Sequence, residues 1–329
     1  MSEHERTGLD RREFLSASVA TAGAVLLGPG CGAEGPPRRR EAPPEPEPAD
    51  GAEIVAFDPE SVPEDAERFP VGLASGDMTP TSALLWTQTT GPGRVRVWRP
   101  GRGPGQVKLA ADLPVTPADG GYAKVRVRGL GPGRYTYAFF DEALTRRSPI
   151  GQLRTAFAPD DLRPLTLGTM SCTNWSREPF EALERLAAEA PDVLVHLGDL
   201  SYNDGSRTRD EFRRLYRRTL ATSGYRAALS SAGLYATWDD HDVDNNFDPE
   251  RLARENPELL ATATDAYFET LPLPEEERRL WRSHRWGRTA EVFMLDCRSE
   301  RRPSTLGTDA AQYIGQPQLE WLLGALEAS

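Results

Sequence analysis

The chain has 329 residues, 38% of them apolar and 27% charged, enough for two domains and a sizeable core. Its formal net charge of -11 excludes non-specific binding to nucleic acid or anionic membranes, because like charges repel; a phosphorylated ligand stays open where bound metal ions reverse the local field. Three cysteines, Cys31, Cys172 and Cys297, are too few for a disulfide framework.

Residues 10–15 read D-R-R-E-F-L and lead into an apolar run from Leu15 to Leu27, too short to span a bilayer. Arg11 and Arg12 ahead of this mild stretch, with Phe14 and Leu15 in place, form the twin-arginine export pattern rather than a basic helix start. The export machinery is then a partner, and the destination is periplasmic, extracellular or associated with the cell envelope. Cys31 closes the segment in G-P-G-C. Gly28 stands where a lipoprotein signal favours Leu, so a lipid anchor at Cys31 is the weaker reading. Residues 32–64 carry P-P-R-R-R and E-A-P-P-E-P-E-P; proline and charge at this density cannot bury a core, and an extended tether follows.

The texture changes near residue 65. A short apolar run, Ala83 to Trp86, follows a Gly/Asp/Pro turn. R-V-R-V-W (94–98) and K-V-R-V-R (124–128) alternate with the period of half-buried strands, and R-Y-T-Y-A-F-F (134–140) is an aromatic-rich strand after a G-L-G-P-G turn. Short strands separated by turns predict a small fibronectin-like β-sandwich over 65–157, without catalytic groups.

From residue 160 the order becomes strand, helix, strand. L-T-L-G-T-M-S-C (165–172) is a strand ending in small polar residues. Residues 178–190 place Phe180, Leu183 and Leu186 at helical spacing. D-V-L-V-H-L-G-D (192–199) is a near-continuous apolar strand running into Gly-Asp. This is a βαβ unit, and α/β proteins place ligands just beyond the carboxyl ends of such strands. After a helical, arginine-rich stretch (209–221), L-Y-A-T-W-D-D-H-D-V-D-N-N-F-D (234–248) repeats the pattern. Its strand opens into Asp239, Asp240, His241, Asp242, Asp244, Asn245, Asn246 and Asp248. Carboxylates this dense repel unless a cation sits among them, and their donors suit hard or borderline ions.

Each signal alone has a plain alternative. Cys172 could be a small buried hydrophobe, Gly198-Asp199 a turn, and the Asp/Asn run a solvated loop. His196, inside a strand, reads as a core histidine, and His284 has no ligand-rich neighbourhood. Order and placement favour a site, because all three ligand groups follow strands and converge on one edge of one sheet.

F-P-V-G-L-A-S-G-D, S-C, H-L-G-D-L-S-Y, T-W-D-D-H-D-V-D-N-N and F-M-L-D-C-R-S-E-R together resemble the successive signatures of PhoD-like alkaline phosphatases, in the calcineurin-like metallophosphatase group. The resemblance runs from about residue 65 to the end. It implies a layered α-β-β-α metallophosphatase core over 160–329 behind the β-sandwich, and hydrolysis of phosphate monoesters or diesters outside the cytoplasm. It also implies Fe(III) and Ca(II): Cys172, Asp199 and Tyr202 on the iron, Asp199 bridging, and Asn245 on the second ion. Asp240 and His241 would lie against the metals, with His241, Asp240 and Arg298 in catalytic roles and Asp296 in support.

Gln318 to Leu326 reads as an amphipathic helix with Leu319, Leu322, Leu323 and Leu326 on one side. In the resembling family this helix leads to further strands and a late Gly-Asp-x-His motif. No histidine follows His284 here, so the expectation is a truncated domain with little activity by itself. Two other readings stand beside hydrolysis: a secreted binding protein with a vestigial site, and an adhesion protein with a structural calcium site. Cys172 discriminates against the latter, since calcium has no use for a thiolate.

Overall fold

A computed structural model describes residues 53–276 and 278–329. The twin-arginine pattern, Cys31 and the proline-rich stretch up to residue 52 lie outside the described residues.

Alternating and aromatic runs form strands β1 (Glu53–Ala56), β2 (Leu73–Thr79), β3 (Ser82–Gln88), β4 (Gly93–Pro100), β5 (Gln106–Val115), β6 (Tyr122–Arg128), β7 (Arg134–Asp141) and β8 (Gly151–Arg154). A first, antiparallel sheet has the order β1-β5-β4-β7-β8. The second half adds β9 (Leu167–Met170), β10 (Val193–His196) and β11 (Gly233–Ala236), and then a hairpin of β12 (Arg282–Trp286) and β13 (Ala290–Met294). Helix α1 (Glu181–Ala188) connects β9 to β10; α2 (Arg209–Leu220) and α3 (Ser223–Ser231) connect β10 to β11. These crossovers make β9, β10 and β11 parallel. Helices α4 (Pro249–Glu255), α5 (Pro257–Thr270) and α6 (Gln316–Ala328) complete the described α-helices.

The strands of residues 65–157 do not close on themselves. The second sheet has the order β6-β3-β2-β11-β10-β9, antiparallel in its first three strands and parallel from β2 onward. Gly76 of β2 pairs with Leu234 of β11. A Cβ at Gly76 would come within 2.9 Å of the Leu234 carbonyl oxygen and 2.5 Å of that of Pro272, so only glycine allows this approach. One mixed sheet therefore crosses the expected division near residue 160.

One face of the mixed sheet shares an apolar cluster with the first sheet, through Leu73, Leu85 and Val127 against Val95, Val97 and Tyr137. The same cluster takes in Val193, Val195 and Tyr235 with Trp286 and Met294 of the hairpin. The opposite face carries Trp86, Leu194 and Leu234 and is covered by Leu183 of α1, Phe212 and Tyr216 of α2, Leu229 of α3, and Ala263 and Tyr267 of α5. Outside the hairpin, Trp321 of α6 meets Trp281 and Phe293 at 5.0 and 6.1 Å between ring centroids. The order is helices, mixed sheet, hairpin, helix, so β10 and β11 are buried on both faces while β9, at the sheet edge, alternates exposed and buried; the carboxyl ends of all three are free to carry chemistry.

Candidate metal centre

The three parallel strands end together, and the expected residues follow their ends. Cys172 lies two residues beyond β9 and Asp199 three beyond β10. Both take the left-handed conformation, with φ of 57° and 55°. Backbone bonds lace the two loops: Cys172 N donates to Gly198 O (3.1 Å) and Thr173 N to Asp199 O (3.0 Å). The Cys172 thiol then reaches Asp199 Oδ2 at 3.6 Å. Gly198 has φ of 112°, and a Cβ there would meet Asp239 Cβ at 2.5 Å, so glycine lets the third loop close onto the second.

That third loop turns through a short 3-10 segment, Asp240–Asp242. Asp242 faces inward and is fully buried. Its carboxylate accepts from the backbone N–H of Asp199 (2.8 Å), Leu200 (3.1 Å), Ser201 (3.3 Å) and Asp239 (3.0 Å). Asp242 is therefore the anchor that joins the loops after β10 and β11, a role its place in an acidic run did not reveal. Burial pushes its pKa up to about 7 despite these donors.

Asp239 and Asp240 point the other way. One oxygen from each of Asp199, Asp239 and Asp240 lies within 4.8 Å of the other two. Arg298, four residues beyond β13, donates from Nε to Asp239 Oδ1 and from Nη2 to Asp240 Oδ1 at 3.1 Å. Asn246 N holds the other Asp240 oxygen at 2.6 Å. Asp199 is raised above the usual carboxylate range by burial and by the charges of Asp239 and Asp240. A bond with Ser171 lowers the Cys172 thiol, but burial and the charge of Asp199 outweigh it and leave it raised. Acids pressed together in this way titrate upward until a cation offsets their repulsion. Three clustered carboxylates with a thiol against one of them make a donor set that fits a metal ion.

Tyr202 stacks on the imidazole of His241 with ring centroids 4.0 Å apart. Its pKa is pushed up to about 12 by burial and by the charges of Asp199 and Cys172. His241 N donates to Asp199 Oδ1 (3.2 Å), and its ring Nδ1 lies 2.8 and 2.9 Å from the two Asp204 oxygens. Burial would lower the pKa of His241, but Asp204 and the neighbouring carboxylates raise it. Asp204, in the loop after β10, was not singled out from the sequence.

Asn245 is exposed, and its side-chain oxygen accepts from Asn246 Nδ2 at 2.9 Å; among the described residues it meets the clustered carboxylates only through Asn246, whose backbone N–H holds Asp240. Asp296 accepts from the backbone of Arg298 and Ser299 and from Trp238 Nε1. It orders the turn that presents Arg298. Two residues stay outside the centre. His196 is buried, bonds Tyr225 OH at 2.8 Å, and falls to a pKa of about 3 through burial. His284 is buried flat against Tyr235.

Residues 56–157 match the family model "PhoD-like phosphatase, N-terminal domain" and residues 167–329 match "PhoD-like phosphatase". Alkaline phosphatase D of Bacillus subtilis (strain 168) is 25% identical over 321 residues, covering 79% of this chain and 54% of that protein. The chain thus spans about half the length of that curated relative. The solved structure of PhoD superposes with a TM-score of 0.69 at 24% identity, covering 79% of this chain and 60% of that one. Purple acid phosphatase PPD1 from yellow lupin gives a TM-score of 0.50 at 15% identity, covering 78% and 48%. These two share the fold of layered helices and mixed sheets. With both halves of its described structure matched and the acidic centre at the predicted strand ends, this chain belongs to the PhoD-like phosphatase family.

Proposed function

We propose that the protein is a metal-dependent phosphoesterase that hydrolyses phosphate monoesters or diesters outside the cytoplasm. The observation carrying this reading is the convergence of Cys172, Asp199, Asp239 and Asp240 beyond three adjacent strand ends. Cys172, Asp199 and Tyr202 would hold Fe(III), with Asp199 shared toward a Ca(II) held by Asp239 or Asp240 and by Asn245. When bound, such ions supply electrostatic stabilisation of the charge that develops on the phosphoryl oxygens.

The remaining work falls to side chains. Asp242 fixes the backbone of Asp199, and of Leu200, Ser201 and Asp239 around it, through one N–H bond from each, so the Asp199 carboxylate is held in place before substrate arrives. Asp204 holds Nδ1 of His241 and leaves Nε2 as the ring nitrogen that can give a proton to the departing alkoxide. Asp204 and the neighbouring carboxylates raise the pKa of His241 against the effect of burial and so favour its protonated form. Arg298 carries a guanidinium suited to two phosphoryl oxygens.

Among the described residues no helix is long and apolar enough to cross a membrane. Export by the twin-arginine route rests on Arg11 and Arg12. Changing both to Lys should retain the protein in the cytoplasm on cell fractionation; normal export of that variant would remove the twin-arginine reading. For the activity, purified protein is loaded with iron and calcium and assayed on a chromogenic phosphodiester and monoester. Turnover that vanishes in Asp199→Ala supports the reading. Measurable turnover that is equal in wild type and Asp199→Ala, or no metal bound by either, overturns it.

A further inference from the structure

We propose that Gln318 is a positioning residue for the metal centre: through Asp296 it holds Arg298 as a stand-in for a cation between Asp239 and Asp240. The inference rests on the reading that these carboxylates bind metal.

Gln318 lies in the first turn of α6 and is fully buried. Its Oε1 accepts from Asp296 N at 2.9 Å and its Nε2 donates to Asp296 O at 3.0 Å. The side-chain amide thus pairs with both backbone groups of one loop residue, as a neighbouring strand would. With its backbone fixed, the Asp296 carboxylate makes four further bonds. It accepts from Trp238 Nε1 (3.1 Å), Arg298 N (3.0 Å), Ser299 N (2.9 Å) and Ser299 Oγ (2.5 Å). Trp238 directly precedes Asp239. Asp296 therefore grips both the loop that carries the carboxylates and the turn that carries the guanidinium. Thr237 Oγ1, donating to Leu295 O at 2.6 Å, makes a second tie between the same segments.

A guanidinium and a metal ion are rivals here. Arg298 already occupies Oδ1 of both Asp239 and Asp240, and a cation drawn to the cluster must displace it or share those carboxylates. Two ligands that exclude each other have a coupling that is equal in both directions. The more firmly the Asp296 turn is held, the better Arg298 competes. Loosening the turn weakens the rival, and removing the guanidinium eliminates it. A buried glutamine that merely stabilised the loop would act differently: its loss would disorder the carboxylates and weaken cation binding, whether or not Arg298 was present.

The test titrates the full chain, stripped of metal, with Mn2+ alone by calorimetry. Arg298→Gln should bind Mn2+ about tenfold tighter than wild type, within the usual range of coupling between sites. Gln318→Met, which keeps the volume and loses both bonds, should bind several-fold tighter, with an unchanged circular dichroism spectrum. The double variant should bind no tighter than Arg298→Gln, because both changes act on one guanidinium. Gln318→Ala serves as a second probe and should shift affinity in the same direction. Weaker or unchanged binding in both Gln318 variants overturns the inference, and so do gains that multiply in the double variant. Mn2+ binding by wild type without tightening in Arg298→Gln removes this inference alone. Binding by none of the proteins removes the metal reading and this inference with it.

Discussion

The thiol of Cys172 stands 3.6 Å from Oδ2 of Asp199, and both residues hold left-handed backbone conformations, at φ of 57° and 55°. Side chains other than glycine avoid this region, and each such residue costs about 1–3 kcal/mol when the surroundings impose it. Here the surroundings do so through the crossed bonds between the two loops and the four N–H groups gathered by Asp242. The strained turns direct a thiol and a carboxylate at one point.

With iron bound, Cys172 and Tyr202 should give the protein a visible charge-transfer band. Tyr202→Phe should bleach or shift the part of the band due to the phenolate, and Cys172→Ser the part due to the thiolate. Absorption spectra of the iron-loaded variants check this. A colourless iron-loaded wild type, or a band unmoved in both variants, would mean that neither side chain binds iron.

Asp239 should matter as much to cation binding as Asp199. Asp239→Asn keeps the shape but removes one of the three clustered charges, and Mn2+ affinity should fall at least tenfold, about 1.4 kcal/mol. Calorimetric titration reads this directly. Unchanged affinity would show that Asp239 serves only as a partner for Arg298.

Glu269, near the end of α5, binds Arg209 (Nη2 to Oε2, 2.5 Å) and Arg213 (Nη2 to Oε2, 3.0 Å, with a second bond from Nε). Glu269 and Arg213 are both buried. Glu269→Ala leaves a buried guanidinium with only exposed partners, Asp119 and Asp210. It should cost about 3 kcal/mol of stability in urea unfolding. A loss under about 1 kcal/mol would show that solvent screens the pair.

His284 is neutral when folded, because burial pulls its pKa from 6.5 to about 3. The unfolded chain takes up its proton near pH 6.5 while the folded chain does not, so stability present above that pH is lost as the pH falls toward 3. Between pH 6.5 and 5 this one group should remove about 2 kcal/mol. His284→Phe keeps the stack on Tyr235 and should flatten the slope by about one proton, measured by urea unfolding at each pH. An equal slope in wild type and variant would refute the assignment.

Much of this protein was legible as sequence, because its signals are local. Apolar runs ending in Cys172, Gly198-Asp199 and Trp238-Asp239 named the strands and the edge where ligands gather. Buried parallel strands must be apolar along their length, and only the residues beyond their ends are free to be polar. Periodicity likewise located α1 and α6, and the arginine-rich stretch 209–221 was read as the helix that is α2. Tertiary structure alone decided which member of the acidic run does what. In the 3-10 turn Asp242 points into the protein to bind backbone, while Asp239 and Asp240 point out toward Asp199; residue type and spacing do not encode that direction. The pairing of Asp204 with His241, the grip of Gln318 on Asp296, and the joining of β2 to β11 at Gly76 are contacts across 22 to 158 residues of chain. Each depends on where separate elements come to rest, and no local pattern carries that information.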